Sequence, residues 1–471
     1  MKYHQISKDK FFANLHPEWP NDMLPEIRVQ ITRNPRKVVV LDDDPTGTQT
    51  VYGVPVLTEW SIEALCAEFT NDLPAFYLLT NSRALPLEQA KTLNTEIGEN
   101  LKLAAQQTGR DFVAISRSDS TLRGHFPGEV MALAKSLGED FKNWITLVIP
   151  YFLEGGRYTV NDVHYVDEGE WFTPAGQTEF ASDKAFGYKA SNLCDWVAEK
   201  MDGRIASQDV AAITLDDIRR GGPERVTQKL NQLAAGDICI VNAISYRDIE
   251  VFVSGLLKAE AQGQQFLYRT AASFVRARIG LGSRPILTRA NLNLKETGGG
   301  LVIVGSYVPK STTQVQKLLK IPDLTAIELD VTALLEADQR QIEINRAISL
   351  AEQALQSNQD VVIYTGRKLI SGTSAEASLA IGQQVSDGLV EIVQSIAVRP
   401  RYLLAKGGIT SSDIATKGLQ IKRALVSGQI LPGVPVWQAG SESHWPGLTY
   451  IVFPGNVGSP EALANIVSTL R

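Results

Sequence analysis

The chain has 471 residues, 44% of them hydrophobic and 21% charged, with a formal net charge of −6 at pH 7. That length exceeds one ordinary core and points to two large domains, and the composition excludes a disordered chain. The acidic balance excludes a nucleic-acid binder that works by wholesale phosphate neutralisation, and the 3 widely spaced cysteines exclude a disulfide or zinc framework.

No apolar run approaches the ~20 residues of a membrane span, and no signal-peptide core opens the chain, so the expected compartment is the cytoplasm with no membrane partner. Residues 1–36 read as a polar N-terminal extension. Short apolar runs then alternate with amphipathic segments: strands are predicted at 38–41, 75–79, 112–116 and 144–149, and helices at 61–69, 86–108 and 127–137. The stretch 151–235 is rich in turns and shows no dominant period. A buried strand is expected in DICIVNA (237–243) and a helix near 248–262. Residues 285–300, polar and ending in three glycines, read as a linker. Beyond it, strands at 301–304, 325–329, 361–364 and 401–405 alternate with helices from 311, near 341–355 and over 374–394. The rhythm predicts an α/β fold of two lobes, 37–284 and 301–471, each a mostly parallel sheet flanked by helices, with ligands in the inter-lobe cleft.

Ligands of open α/β sheets bind beyond the carboxyl ends of the strands, so the turns after each strand are where chemistry is sought. The first turn is unusual: VVVLDDDPTGTQT (38–50) drives a β-branched run into Asp42, Asp43 and Asp44. Such carboxylates can accept hydrogen bonds from a polyol, take a proton from a hydroxyl or hold Mg²⁺, or they can form a solvated, helix-capping turn. The second turn, TNSRALP (80–86), offers Arg83. The third, SRSDSTLRGHFPGE (116–129), concentrates Arg117, Ser118, Asp119, Ser120, Arg123 and Gly124. It suits a small polyhydroxy acid, with guanidinium for the carboxylate and Asp119 for hydroxyls, and equally an Arg–Asp network bracing the turn. His125 reads as an acid/base or, more simply, as a structural hydrogen bond.

In the second lobe, IVGSYVPKSTTQVQKL (303–318) puts Ser311 and Gln314 on the first turn of a helix. LLAKGGITSSDIA (403–415) follows a strand with Lys406 and two glycines, and IVFPGNVGSPEAL (451–463) repeats the strand, glycine and helix pattern. Glycine turns that expose backbone N–H groups are phosphate sites, and their recurrence in one lobe points to a nucleotide. Neither the P-loop nor the dinucleotide glycine fingerprint is present.

Together, DDPTG (43–47), SDSTLRG (118–124), GSYVPKSTTQ (305–314) and KGGITS (406–411) resemble the four-carbon acid sugar kinase family. The resemblance implies an N-terminal acid-sugar domain and a C-terminal nucleotide-binding domain, with ATP and Mg²⁺ and a small sugar acid such as threonate, erythronate or 3-oxo-tetronate phosphorylated at the 4-position. It implies Asp44, Arg83, Arg117, Ser118, Asp119, Ser120, Arg123 and Gly124 around the acid sugar, and Asp43 or Asp44 as the catalytic carboxylate. It also implies Gly407, Gly408, Ile409, Thr410, Ser306 and Gly455 around the nucleotide. The chain departs from the family at Pro45, at Arg117-Ser118 and at Phe453-Pro454, where a lysine is absent, which marks a distinct branch. GGRYTVNDVHYV (155–166) and YRTAASFVRA (268–277) are candidates to shape the pocket, with a structural role as the alternative. A sugar-acid or nucleotide sensor and a dinucleotide-dependent oxidoreductase are the competing functions, and a homo-oligomer is left open.

Overall fold

The computed structural model describes residues 4–13, 15–138, 141–292, 294–306, 308–366, 375–455 and 457–471, with the backbone alone for Phe141 and 375–379. The expected helix start at Ser374 and the motif residues Tyr307 and Asn456 lie outside them. The chain divides into two units, Met1–Val51 with Glu59–Ser283, and Tyr52–Thr58 with Arg284–Arg471. Where the sequence suggests one crossing at the linker, the short segment 52–58 therefore also belongs to the second unit. Its strand Pro55–Leu57 pairs antiparallel with Arg423–Leu431, a partner more than 350 positions away that no local pattern announces.

In the first unit, parallel strands form one sheet in the order Ala211–Ile213, Ile238–Val241, Ile145–Ile149, Phe266–Thr270, Phe112–Arg117, Lys37–Asp42 and Ala75–Leu79. Val38 to Leu41 are buried throughout, which is why this run is continuously apolar rather than alternating. Each such side chain contributes roughly 1.5–3 kcal/mol on burial. Helices cover the sheet: Leu87–Thr108 packs on Ile62–Thr70 and Gly128–Ser136, while Tyr246–Ala261 packs on Leu24–Arg33 and Gly222–Asn231. The first strand in sequence lies between the second and the third. Connections therefore leave it in opposite directions, and the sheet has its topological switch point at the end of Lys37–Asp42.

The stretch without a dominant period contains a small antiparallel sheet, Ile6–Ser7, Trp171–Pro174, Val163–Asp167 and Arg157–Val160. Phe11, Phe172, Tyr158 and Tyr165 pack together on it. Bridges from Thr159 to Ala243 and from Val163 to Asn192 tie it to the rest of the unit.

The second unit places parallel strands in the order Leu324–Leu329, Asp360–Thr365, Leu301–Val304, Tyr402–Lys406 and Thr449–Phe453. Antiparallel Val434–Ala439, Arg423–Leu431 and Pro55–Leu57 extend it. The sequence did not mark Arg423–Leu431 and Val434–Ala439. Here the connections reverse between Leu301–Val304 and Tyr402–Lys406, so these two strand ends form the second switch point.

Candidate functional site

In the first unit, register does the assembly. Asp42 is the last residue of its strand and lies opposite Arg117, the last of the next, which lies opposite Thr270. Hydrogen bonding continues one residue further: Asp43 N–H donates to Arg117 O at 3.2 Å and Ser118 N–H to Thr270 O at 2.9 Å. On the other side, Thr80 N–H donates to Asp42 O at 2.9 Å and Arg83 N–H to Asp43 O at 3.4 Å. All the turns singled out in this lobe thus meet at one switch point.

The three aspartates have different electrostatic fates. Asp42 accepts from Arg117 Nη1 at 3.1 Å, and burial pushes its carboxyl up to about 8 despite that cation, with Asp43 and Asp44 adding to the effect. Burial also raises Asp43, against the pull of Arg83 and Arg117. Asp43 Oδ2 accepts from Ser118 Oγ at 3.2 Å, and its Oδ1 has no hydrogen-bond partner among the described residues. Burial works against Asp44 as well, but Arg83, which bonds it directly, and Thr46, whose N–H donates at 2.8 Å, outweigh it and hold this carboxylate low. The like-charge run is therefore divided into one locked anion and two carboxyls with raised affinity for a proton.

Arg83 also reaches Asp119 at 3.4 Å, and Arg117 reaches Asp43 at 3.7 Å. Asp119 is half-buried, and Arg123 Nε at 2.7 Å and Arg83 keep it well below the usual carboxylate range. The Arg–Asp network anticipated as an alternative is thus present. Gly124, at φ +116, takes a conformation that side chains disfavour, and a Cβ there would come 3.2 Å from Ser118 Oγ and 3.4 Å from Asp43 Oδ2. This glycine lets the chain fold back over the Asp43 carboxyl. Ser120 is buried.

The loop 119–123 is held by its carbonyls. Arg269 Nη2 donates to Asp119 O at 2.8 Å and Arg123 O at 3.1 Å, His164 Nε2 bonds Ser120 O at 2.8 Å, and Tyr188 O–H donates to Thr121 O at 2.7 Å. Burial pushes His164 down to about 3, so it is neutral, with Nε2–H donating and Nδ1 accepting from Thr159 at 2.9 Å. Sequence reasoning assigned no individual role to these three side chains. The signals to be found were a charged residue inside an apolar strand, FLYRT, and a histidine in VHYV. Glu129, buried next to Asn94 at 3.2 Å and raised to about 7 by burial and then by Asp43, also escaped notice. His125 bonds Leu85 O at 2.9 Å, the structural alternative.

In the second unit the expected nucleotide residues gather at its switch point. Ser311 Oγ donates to Ser306 Oγ at 2.9 Å, and Gln314 Nε2 donates to Val457 O at 3.1 Å and Ser459 O at 2.8 Å. Lys406 Nζ donates to Pro454 O at 3.0 Å and Gly455 O at 3.4 Å and sits 3.9 Å from the Phe453 ring centroid. Burial lowers it to about 7. Gly407, at φ +118, brings the chain against Ser306: a Cβ would meet Ser306 Cβ at 3.1 Å and Thr410 Oγ1 at 3.3 Å. Gly408 opens the helical turn Gly408–Asp413, Thr410 is buried, and Ile409 is 58% exposed.

Residues 38–278 match the family described as sugar-binding N-terminal domain, and residues 301–463 the family described as nucleotide-binding C-terminal domain. Fold and site therefore define a two-domain α/β protein that pairs sugar binding with nucleotide binding. The chain belongs to the four-carbon acid sugar kinase family. Haemophilus influenzae protein HI1011 is similar in fold, with a TM-score of 0.60 and 18% identity over 92% of this chain and 100% of its own. A Salmonella typhimurium LT2 protein, provisionally named a tRNA synthase, has a TM-score of 0.65 and 16% identity over 91% of this chain and 98% of its own. No curated protein matches the sequence. Among the described residues no helix is long and apolar enough to cross a membrane.

Proposed function

We propose that the protein is a cytoplasmic, ATP-dependent kinase that phosphorylates a terminal hydroxyl of a short, four-carbon sugar acid. The observation that carries this reading is the Asp43 carboxyl: buried, raised in proton affinity, with one oxygen lacking a hydrogen-bond partner among the described residues, at the switch point of a sugar-binding domain. A general base needs that combination, because a carboxylate of ordinary affinity accepts a hydroxyl proton poorly.

The sugar acid lies against Asp43, Asp44, Arg83, Arg117, Ser118, Asp119, Ser120, Arg123 and Gly124. Asp43 orients the hydroxyl and takes its proton as the new bond from oxygen to the γ-phosphorus forms and the bond to the β–γ bridging oxygen breaks, releasing ADP. Asp44 and Asp119, held ionised by Arg83 and Arg123, accept hydrogen bonds from the other hydroxyls. Ser306, Ser311, Gln314, Lys406, Gly407, Gly408, Ile409, Thr410 and Gly455 bind the nucleotide. Mg²⁺ takes most of its ligands from phosphates and water and would neutralise phosphate charge when bound with ATP. Positioning and electrostatics then supply most of the rate.

The test is ADP release with MgATP across threonate, erythronate, their 3-oxo forms and five- and six-carbon acids. Turnover confined to four-carbon acids is the expected outcome. ATP-induced thermal stabilisation with no turnover on any acid would replace the kinase with a sensor.

A further inference from the structure

The cations nearest the motif loop fall into two groups. Arg83, Arg117 and Arg123 each pair with aspartates: Arg83 with Asp43, Asp44 and Asp119, Arg117 with Asp42 and Asp43, and Arg123 with Asp119 and Asp183. The charges of Arg83 and Arg123 are largely neutralised by the ionised Asp44 and Asp119, so a substrate carboxylate gains little from them, while Arg117 is taken up by its bond to Asp42 at 3.1 Å and its contact with Asp43 at 3.7 Å.

Arg157 and Arg269 are different. Neither has a carboxylate within 4.0 Å among the described residues, and both stand close enough to His164 to oppose its protonation. Arg269 is 1% exposed; its Nη2 holds the Asp119 and Arg123 carbonyls, while Nε and Nη1 have no hydrogen-bond partner among the described residues. Arg157, half-buried, has a buried Nε without a partner among them, and its guanidinium lies 5.5 Å from the centroid of the Phe180 ring, which Arg123 faces at 5.1 Å. Burial lowers the proton affinity of both, Arg269 to about 10, against the opposing pull of Asp119. Arg117, Arg278 and Arg401 also carry an Nε without a hydrogen-bond partner among the described residues, but each pairs with a carboxylate; Arg157 and Arg269 lack that pairing, and beside a sugar-binding loop they mark a place for an anion.

We propose that Arg157 and Arg269 provide the counter-charge for the carboxylate of the sugar acid, Arg157 by direct contact and Arg269 as a positioning residue acting through the 119–123 loop. This rests on the sugar-acid reading above. It assigns discrimination between an acid and the corresponding neutral polyol to these two arginines, and leaves Arg83 and Arg123 to set the aspartates that bind hydroxyls.

The experiment is calorimetric titration of threonate and erythronate, and of the neutral tetritols threitol and erythritol, into wild type, Arg157→Met, Arg269→Met and Arg269→Lys. Removing a charge-assisted hydrogen bond from a partly buried site weakens acid binding roughly 10- to 100-fold. That weakening is expected in both methionine variants, with tetritol binding unchanged in Arg157→Met and Arg269→Lys recovering part of the acid affinity. An Arg269→Met protein that loses acid and tetritol alike, with no recovery by lysine, would make Arg269 a purely structural brace and overturn its part. Arg157→Met binding acid as tightly as wild type would overturn the direct contact. Wild type that binds no sugar acid at all would instead overturn the functional reading, a result distinct from either.

Discussion

Asp43 and Asp44 are neighbours in sequence and opposites in chemistry. Asp44 is fixed by Arg83 and Thr46, whereas Asp43 keeps an oxygen without a partner among the described residues and a raised proton affinity. Asp43→Asn is expected to lower turnover by about 10²- to 10⁴-fold, the usual worth of a general base. Asp44→Asn should also abolish transfer, through the release of Arg83. In both variants the thermal shift produced by ATP should persist; its loss would sink the assignment of these residues to the sugar side. Asp42 yields a prediction about pH. Its folded proton affinity, about 8, lies above the ordinary carboxylate value of 3.8, so the folded protein holds a proton that the unfolded chain has released across that interval. Stability from this group is therefore complete below about pH 4 and falls as pH rises towards 8. Asp42→Asn, neutral throughout, should flatten the decline of melting temperature over that window, and equal slopes in the two proteins would contradict the linkage.

Among the elements, the reversal between Leu301–Val304 and Tyr402–Lys406 brings Gly305, Ser306 and Gly407 close to Thr410. A Cβ on Gly305 would overlap Thr410 Oγ1 and lie 3.0 Å from Leu389 Cδ1, so Gly305→Ala should destabilise by about 1–3 kcal/mol and weaken ATP binding. Lys406 ties this element pair to the turn after Thr449–Phe453 through the Pro454 and Gly455 carbonyls. Lys406→Met keeps the volume and removes both donors. The expected result is a folded protein with ATP affinity reduced at least about tenfold, as the removal of charge-assisted bonds implies. Unchanged ATP titrations would show that Lys406 serves packing alone.

For the whole molecule, the sugar-binding and nucleotide-binding domains occupy separate units, each with its own switch point. Each ligand should therefore stabilise its fold without the other, by about 2.7 kcal/mol at a hundred times its dissociation constant, seen as a raised melting temperature. ADP release, which requires a hydroxyl acceptor, should need both. ADP formed at the same rate without a sugar acid would point to a hydrolase.

The local sequence was sufficient for the α/β alternation, because a continuous apolar run and a 3.6-residue period are properties of neighbouring residues. It also indicated that Asp43, Asp44, Arg83 and the 117–124 loop follow strand ends and so come together, because strand ends in parallel sheets share one edge. Tertiary structure alone decided how the charges are divided, since ionisation depends on burial and on partners distant in sequence. His164, Tyr188 and Arg269 hold the loop across separations of 44, 67 and 150 positions, which no periodicity encodes. The strand Pro55–Leu57 likewise takes its place from backbone pairing with Arg423–Leu431, a hydrogen-bonding choice open to any extended segment and settled only when the second sheet forms.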